Sequence, residues 1–485
     1  PVQGNYNVTI SIDTDHEISE FLIFTGRRRL AYKGKLKAGS HFEQTFTINV
    51  CDIIPRGYEE VFEDKSLDIT IIGKNPRLTK IDICEAKVPT LFIAGDSTVT
   101  DQSADYPYSP AHSYSGWGQM ISYYLSPGIA VSNHAHSGLT TESFRKEGHH
   151  AIVMQHIKAG DFFFMQFAHN DQKLAHLTAD GGYRKNMIQY IEEIRSKGAY
   201  PVIVTPLARN TWKGNDGSYN DLLESHANAC IKIGEAYDVP VLDLHKSSMN
   251  FIKLHGLEDA KRYFFPGDYT HTNDFGAYIM AGFVAAACKN ICTKPHFSLL
   301  TDKINSSSEE WIPPFIVEPI KPPVEQANGA TTDANLFANL ERAGETITRV
   351  EAMDMVIKTA NFFPINVYND MYIDVIGHEW YAGTVECAYQ NGIIDDAFVV
   401  DKQVFPQKEV TLEEFLCFMI NAYKARKSLP REKACPLDNH ASNWALSYIR
   451  AAYELGFVRE SEDLHKLLSR QKAADKANLL LKQMK

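Results

Sequence analysis

Hydrophobic and polar positions divide the chain into stretches of different period. Over residues 1–88 apolar side chains recur at every second position, as in Tyr6-Asn-Val-Thr-Ile-Ser-Ile12, Phe42-Glu-Gln-Thr-Phe-Thr-Ile-Asn-Val50 and Leu67-Asp-Ile-Thr-Ile-Ile72, with Gly, Pro and Asn between the runs. Short alternating strands with regular turn signals predict a β-sandwich accessory domain over 1–88. From Thr90 the pattern changes. Apolar runs at Leu91–Ala94, Ile129–Ser132, Phe162–Phe167, Pro201–Thr205 and Val239–Leu244 alternate with amphipathic stretches at Trp117–Leu125, Tyr183–Lys197 and Tyr219–Tyr237. Buried strands alternating with helices predict an α/β domain over 89–294, a doubly wound parallel sheet covered on both faces. Sites in such sheets collect at the carboxyl ends of the strands.

Residues 295–335 read as a proline-rich linker, because Trp311–Pro323 holds five prolines and favours an extended chain. Residues 336–485 read as an α-helical repeat module. Thr348–Ile357 parallels Thr411–Ile420 at an offset of 63 residues, and Asp374, Trp380 and Gly392 parallel Asp438, Trp444 and Gly456 at 64. Self-similarity at a fixed period predicts stacked supersecondary units, here about two copies.

Composition narrows the function. Hydrophobic residues are 44% of 485 and charged residues 22%, as in a globular chain, and the net charge is −11. An acidic balance argues against nucleic acid as a partner. The longest apolar run, Tyr278–Cys288, is too short to span a bilayer. Eight scattered cysteines without a CxxC pair read as buried free thiols, and no metal or cofactor is expected. His378-Glu379 begins like HExxH, but position 382 is Ala and the motif fails. The Arg27-Arg28-Arg29 run reads as a solvated strand or turn. No leader pattern stands at Pro1.

Four segments carry chemistry. Ile93-Ala-Gly-Asp-Ser-Thr98 puts a serine at the end of the first strand of the α/β domain. Asn133-His-Ala-His-Ser-Gly138 follows the second strand, Phe164-Met-Gln-Phe-Ala-His-Asn-Asp171 the third, and Pro266-Gly-Asp-Tyr-Thr-His271 precedes the last helix. Each alone reads equally as a turn or cap. Together they fall at one sheet edge and match acyl transfer: Ser97 as nucleophile, His271 as base and Asp268 as its orienter. Ser97, Gly138 and Asn170 would form the oxyanion hole. Trp117 and His169 beside them are possible substrate walls; Trp117 reads as a core or wall residue rather than a sugar platform, and His169, His134 and His136 read as structural or rim residues.

This set resembles the SGNH (GDSL-like) hydrolases, named for their Ser, Gly, Asn and His blocks. Gly95-Asp-Ser-Thr-Val99, Gly116-Trp-Gly-Gln119, Ser137–Phe144, Gln166–Lys173 and Asp268-Tyr-Thr-His271 are similar to the rhamnogalacturonan acetylesterase group. The resemblance implies a flavodoxin-like fold, no metal, and removal of acetyl groups from plant cell-wall polysaccharide such as pectin or xylan. Two positions depart from the group: Ala168 stands where Gly is usual and Leu139 where Arg is frequent. An acidic chain also suits an acidic pectic backbone poorly unless basic residues line the crevice, so a neutral polymer such as xylan is a second candidate. The same blocks are compatible with a lipase- or thioesterase-like enzyme that has a long apolar acyl channel. A non-catalytic wall-binding surface protein is a third possibility, of another class.

The C-terminal repeats resemble S-layer homology modules, through Ile347-Thr-Arg-Val-Glu351 and Val410-Thr-Leu-Glu-Glu414 among other segments. Such modules come in threes and bind bacterial cell-wall polymer, and the resemblance makes Arg349 a ligand contact. Its counterpart in the second copy is Leu412. The alternative is a module that packs or self-associates. Wall-type repeats imply a secreted or cell-surface location, whereas free cysteines suit a reducing, cytoplasmic one.

Overall fold

The computed structural model describes all residues except 1, 56, 57, 59, 175, 214–217, 306–309, 314–342, 363, 365, 366, 369–371, 373, 376–378 and 485. Most of the proline-rich segment, and His378, lie outside the described residues. The chain forms two compact units. The first holds Pro1–Asn210 and Leu223–Ile320; the second holds Thr211–Leu222 and Lys321–Lys485.

The first unit begins with six strands: β1 (Gly4–Asp13), β2 (Ile18–Thr25), β3 (Arg29–Leu36), β4 (His41–Val50), β5 (Ile69–Ile72) and β6 (Arg77–Glu85). They make two three-stranded antiparallel sheets, ordered β4-β1-β6 and β3-β2-β5. The alternation in β1 sends Tyr6, Val8, Ile10 and Ile12 into one core with Phe21, Ile23 and Leu36. β2 is apolar on both faces for a separate reason. Its Leu22 and Phe24, with Leu30, join a second core that includes Leu91, Ile93 and Trp117.

The α/β sheet contains β7 (Thr90–Gly95), β8 (Ala130–Asn133), β9 (Phe162–Gln166), β10 (Tyr200–Val204) and β12 (Val241–Leu242), all parallel, in the order β12-β10-β9-β7-β8. Between and after these strands lie α1 (Trp117–Met120), α2 (Ser143–Lys146), α3 (His149–His156), α4 (Arg184–Ser196), α5 (Glu224–Tyr237), α6 (Leu244–Ala260), α7 (Asp274–Ile291) and α8 (Ser298–Thr301). On one sheet face Met120, Met280, Ala281 and Val284 cover Leu91, Ile93 and Phe164; on the other Tyr190, Ile191, Cys230 and Ile233 cover Phe92, Phe163 and Met165. β7 has β8 on one side and β9 on the other, so strand order reverses beside it. A crevice opens at such a switch point.

The Arg27–Arg29 run is a turn, but only Arg27 keeps much of its side chain exposed (29%). It forms the β2–β3 hairpin tip, where Arg29 is 6% exposed and paired to Asp101. Six of the eight free cysteines are buried; Cys84 on β6 is exposed and Cys435 partly so. Among the described residues no helix is long and apolar enough to cross a membrane.

In the second unit β11 (Trp212–Lys213) pairs in parallel with β13 (Val367–Tyr368). Its helices are α9 (Arg349–Thr359), α10 (Ala382–Gln390), α11 (Leu412–Lys424), α12 (Leu446–Glu454) and α13 (Arg470–Met484), around one apolar core. The repeated sequence is a repeated helix start: Thr348 with Glu351 caps α9, and Thr411 with Glu414 caps α11, each by a reciprocal capping box.

The structure adds a third copy to the two read from sequence. Ser469 stands before α13, and its hydroxyl accepts from the Lys472 backbone N–H at 3.4 Å. Three backbone bonds close a ring through the copies: Ile347 N–H to Leu468 O (3.0 Å), Leu468 N–H to Val410 O (2.9 Å) and Val410 N–H to Ile347 O (3.1 Å). The backbone N–H groups of Arg349, Leu412 and Arg470 close the ring in the opposite sense, donating to the carbonyls of Lys408, Lys466 and Glu345. Arg349 is therefore interior, with its side chain 3% exposed. Its guanidinium donates to Glu414 Oε1 (3.1 Å) and to the Val404 carbonyl (2.6 Å), which takes it away from the ligand contact that the resemblance implies. Arg470 pairs likewise with Glu351. At the third junction neither partner survives, since the corresponding positions are Leu412 and Lys472.

Candidate active site

β7 ends at Gly95 and the chain turns sharply. Asp96 accepts from the Thr98 backbone N–H (3.0 Å) and hydroxyl (2.8 Å), a local turn that leaves Ser97 at its apex. Gly116 holds this turn from outside. A Cβ there would lie 2.2 Å from the carbonyl carbon of Val99, so only glycine permits the approach.

The loop before α7 brings His271 to Ser97. Ser97 Oγ lies 2.7 Å from His271 Nε2, and His271 Nδ1 lies 2.7 Å from Asp268 Oδ2. The other Asp268 oxygen accepts the backbone N–H groups of Thr270 (2.7 Å) and His271 (2.9 Å). Burial by itself would raise the Asp268 carboxyl, but the facing His271 charge and these bonds outweigh it and hold the group below the usual carboxylate range. The imidazole edge also meets the Tyr114 ring at 5.9 Å, and Tyr114 stacks on Phe265 at 3.7 Å. Nothing in the local sequence around Tyr114 marks it as a neighbour of His271.

The second and third blocks meet beside Ser97. Gly138 has φ +87° and open space where a side chain would stand. Asn170 donates one amide N–H to the Leu139 carbonyl at 3.1 Å, tying the two blocks together. Leu139 itself is 1% exposed and packs in the core. Ala168 has φ +133°, a backbone region that favours glycine, and it is fully buried. Next to Asn170, burial raises the Asp171 carboxyl to about 7, even though its Oδ1 accepts from the Thr141 N–H (2.8 Å) and hydroxyl (2.5 Å).

Both proposed substrate walls are buried side chains. Trp117 is completely buried, and its indole N–H donates to Gln166 Oε1 at 2.8 Å. Gln166 in turn donates to the Thr98 hydroxyl at 2.6 Å. His169 is 2% exposed, with Nδ1 3.3 Å from Asp96 Oδ2 and Nε2 2.9 Å from the Leu207 carbonyl. Both residues belong to a polar network beneath the Ser97 turn: each has a ring N–H that needs a buried partner and finds one there. Among the described residues no group of three His, Cys, Asp or Glu could hold a metal ion.

A family model for GDSL-like lipases and acylhydrolases matches residues 93–279. Rhamnogalacturonan acetylesterase RhgT of Bacillus subtilis (strain 168) is 32% identical over 216 residues, 41% of this chain and 90% of that protein. The chain belongs to the GDSL-like lipase/acylhydrolase family. A second B. subtilis protein, the probable rhamnogalacturonan acetylesterase YesY, is 31% identical over 209 residues, 41% of this chain and 93% of that one. The uncharacterized esterase YxiM of the same organism is 26% identical over a longer span of 289 residues, 57% of this chain and 72% of that one. As a GDSL acylhydrolase, this chain is a serine carboxylic ester hydrolase.

Proposed function

We propose that the protein is a carbohydrate O-acetylesterase that removes acetyl groups from plant cell-wall polysaccharide through a Ser97–His271–Asp268 acyl-enzyme mechanism. The observation that carries this reading is the 2.7 Å contact between Ser97 Oγ and His271 Nε2 at the crevice, with Asp268 behind it. Ser97 Oγ attacks the acetyl carbonyl carbon while His271 takes its proton, and Asp268 stabilises the imidazolium. The N–H groups of Ser97 and Gly138 and the second amide hydrogen of Asn170 bind the oxyanion. Collapse expels the sugar hydroxyl, which receives the proton from His271. Water then attacks the acetyl-enzyme by the same route and releases acetate. The two acetylesterases above support a rhamnogalacturonan substrate; with a net charge of −11 the neutral alternative is acetylated xylan.

Acetate release from both polymers, with full-length enzyme and Ser97→Ala, tests the reading. Loss of about 10³-fold or more in Ser97→Ala is expected, and equal release by both proteins sinks it. A series of nitrophenyl esters should favour acetate; a preference for octanoate would move the assignment to a lipase-like enzyme.

We also read the domain plan as 1–88, 89–294, 295–335 and 336–485, with the last segment an S-layer-homology-like module that binds cell-wall polymer. The closed set of three capped helices supports this reading, since such modules come in threes. Co-sedimentation of the full chain with purified bacterial wall polymer should retain it; a chain left wholly in the supernatant removes the anchoring role.

A further inference from the structure

The hairpin tip Gly26-Arg27-Arg28-Arg29 belongs to the N-terminal strands, yet its side chains end on the loops that carry the candidate active site. Arg28 Nη1 donates to Asp274 Oδ2 at 2.6 Å, where Asp274 is the first residue of α7 and stands three positions after His271. Arg28 Nη2 donates to the Tyr114 carbonyl at 2.6 Å, and Nε donates to the Gln102 carbonyl at 2.9 Å. Tyr114 is the residue whose ring meets the His271 edge. One guanidinium thus joins the end of the Ser97 loop, the neighbour of the catalytic imidazole and the start of the helix behind it.

Arg29 acts on the opposite side. It donates to Asp101 Oδ2 (2.9 Å) and to the Val131 carbonyl (2.6 Å). Asp101 Oδ1 accepts from Asn133 Nδ2 (2.8 Å), and that amide also donates to the Val99 carbonyl (2.9 Å), so the first and second blocks are linked. Arg27 donates to the Asn133 carbonyl.

Simple docking of two surfaces would not need this arrangement. Two arginines are taken out of water, at a cost that only full hydrogen bonding offsets. Arg28 also adopts φ +56°, a left-handed backbone that an L-residue keeps when its surroundings over-determine it. The planar fork of donors is matched to four acceptors, the Gln102 and Tyr114 carbonyls, Gln119 Oε1 (3.2 Å) and Asp274 Oδ2, which a lysine cannot satisfy.

We propose that the Arg27–Arg29 hairpin tip is a positioning element for the esterase site, with Arg28 setting the His271 loop and Arg29 the loop that carries Gly138. The N-terminal strands are then a working part of the catalytic unit. This role rests on the Ser97–His271 assignment made above.

The test uses full-length Arg28→Lys, which keeps a charge beside Asp274 but loses the fork. Steady-state hydrolysis of p-nitrophenyl acetate and the rate of fluorophosphonate labelling at Ser97 are read together. A slightly displaced imidazole should lower kcat and the labelling rate by about 10- to 100-fold with KM little changed. Arg28→Ala should regain activity with added guanidinium, which a merely structural loss would not do. Arg77→Ala, at an exposed arginine of β6, should match wild type. The proposal is overturned if folded Arg28→Lys keeps kcat and labelling within a factor of about two of wild type, well under the loss expected of a displaced group. It is equally overturned if Arg28→Lys fails to fold, since Arg28 would then serve stability alone. Ser97→Ala separates the two readings. Activity in Ser97→Ala refutes the site, whereas an inactive Ser97→Ala beside a fully active Arg28→Lys refutes only the positioning.

Discussion

The crevice around Ser97 and the capped helix starts of the second unit both gather buried charge, and they leave it in different states. At the crevice the polar groups stay open to solvent: His271 keeps 34% of its side chain exposed and Asp268 22%. The groups beneath them are left with residual tension. Among the described residues Asp171 is a carboxyl buried without a cation beside it, and Ala168 holds a backbone angle suited to glycine. At the helix starts Arg349 and Glu414 are 3% and 9% exposed and are bonded to each other, to nearby carbonyls and within the capping box, with Arg349 Nε the one guanidinium nitrogen left over. Open and strained polar groups mark a place where something must enter and react. Closed and ion-paired ones mark a place where the chain recognises itself.

The contrast can be broken at its strongest point first. Glu414→Ala strands the Arg349 guanidinium and removes one capping box, so the second unit should lose about 3–5 kcal/mol in urea unfolding. A loss under about 1 kcal/mol, the scale of a surface pair, would make that closure ornamental.

Asp171 tests the opposite claim, that the site region stores tension. Its carboxyl rises from 3.8 to about 7 through burial, so the folded state holds the proton more tightly than the unfolded chain. Stability contributed by this group is present below pH 4 and falls as pH rises toward 7. At about 1.4 kcal/mol per unit the effect is on the order of 4 kcal/mol at most. Asp171→Asn should therefore melt above wild type at pH 8, with the gain gone at pH 4. A gain that is equal at both pH values would show that ionisation is not the source.

The smallest effect sharpens the comparison. Leu412→Arg with Lys472→Glu rebuilds the missing third pair. Leu412→Arg alone should destabilise, and the second change should recover that loss with a coupling of about 1 kcal/mol or more in a double-mutant cycle. Zero coupling would mean that the third junction is not equivalent to the other two.

What could be read from the chain in advance follows the range of each signal. The Ser97, Gly138, Asn170 and His271 blocks were legible because each is a few residues long and a parallel sheet brings strand ends together whatever lies between. Arg28 was not, because its partner Asp274 is 246 residues away and a run of three arginines looks the same in water or in a socket. Trp117 looks like a wall from the company it keeps in sequence. Its indole N–H is already committed to Gln166, which no local pattern reveals. Arg349 invited a ligand role for the same reason, and only the ring of helix starts shows that its partner is Glu414. The third copy is not legible in the sequence because Ser469 and Lys472 replace the Thr and Glu that define the other two.

That ring has a consequence of its own. An open stack of repeats can gain or shed a member and still offer its ends the same neighbours. A cycle in which Ile347 leans on Leu468, Leu468 on Val410 and Val410 back on Ile347 has no ends to extend. It counts to three, and a sequence that drifts at one junction, as at Leu412, is carried by the two that remain.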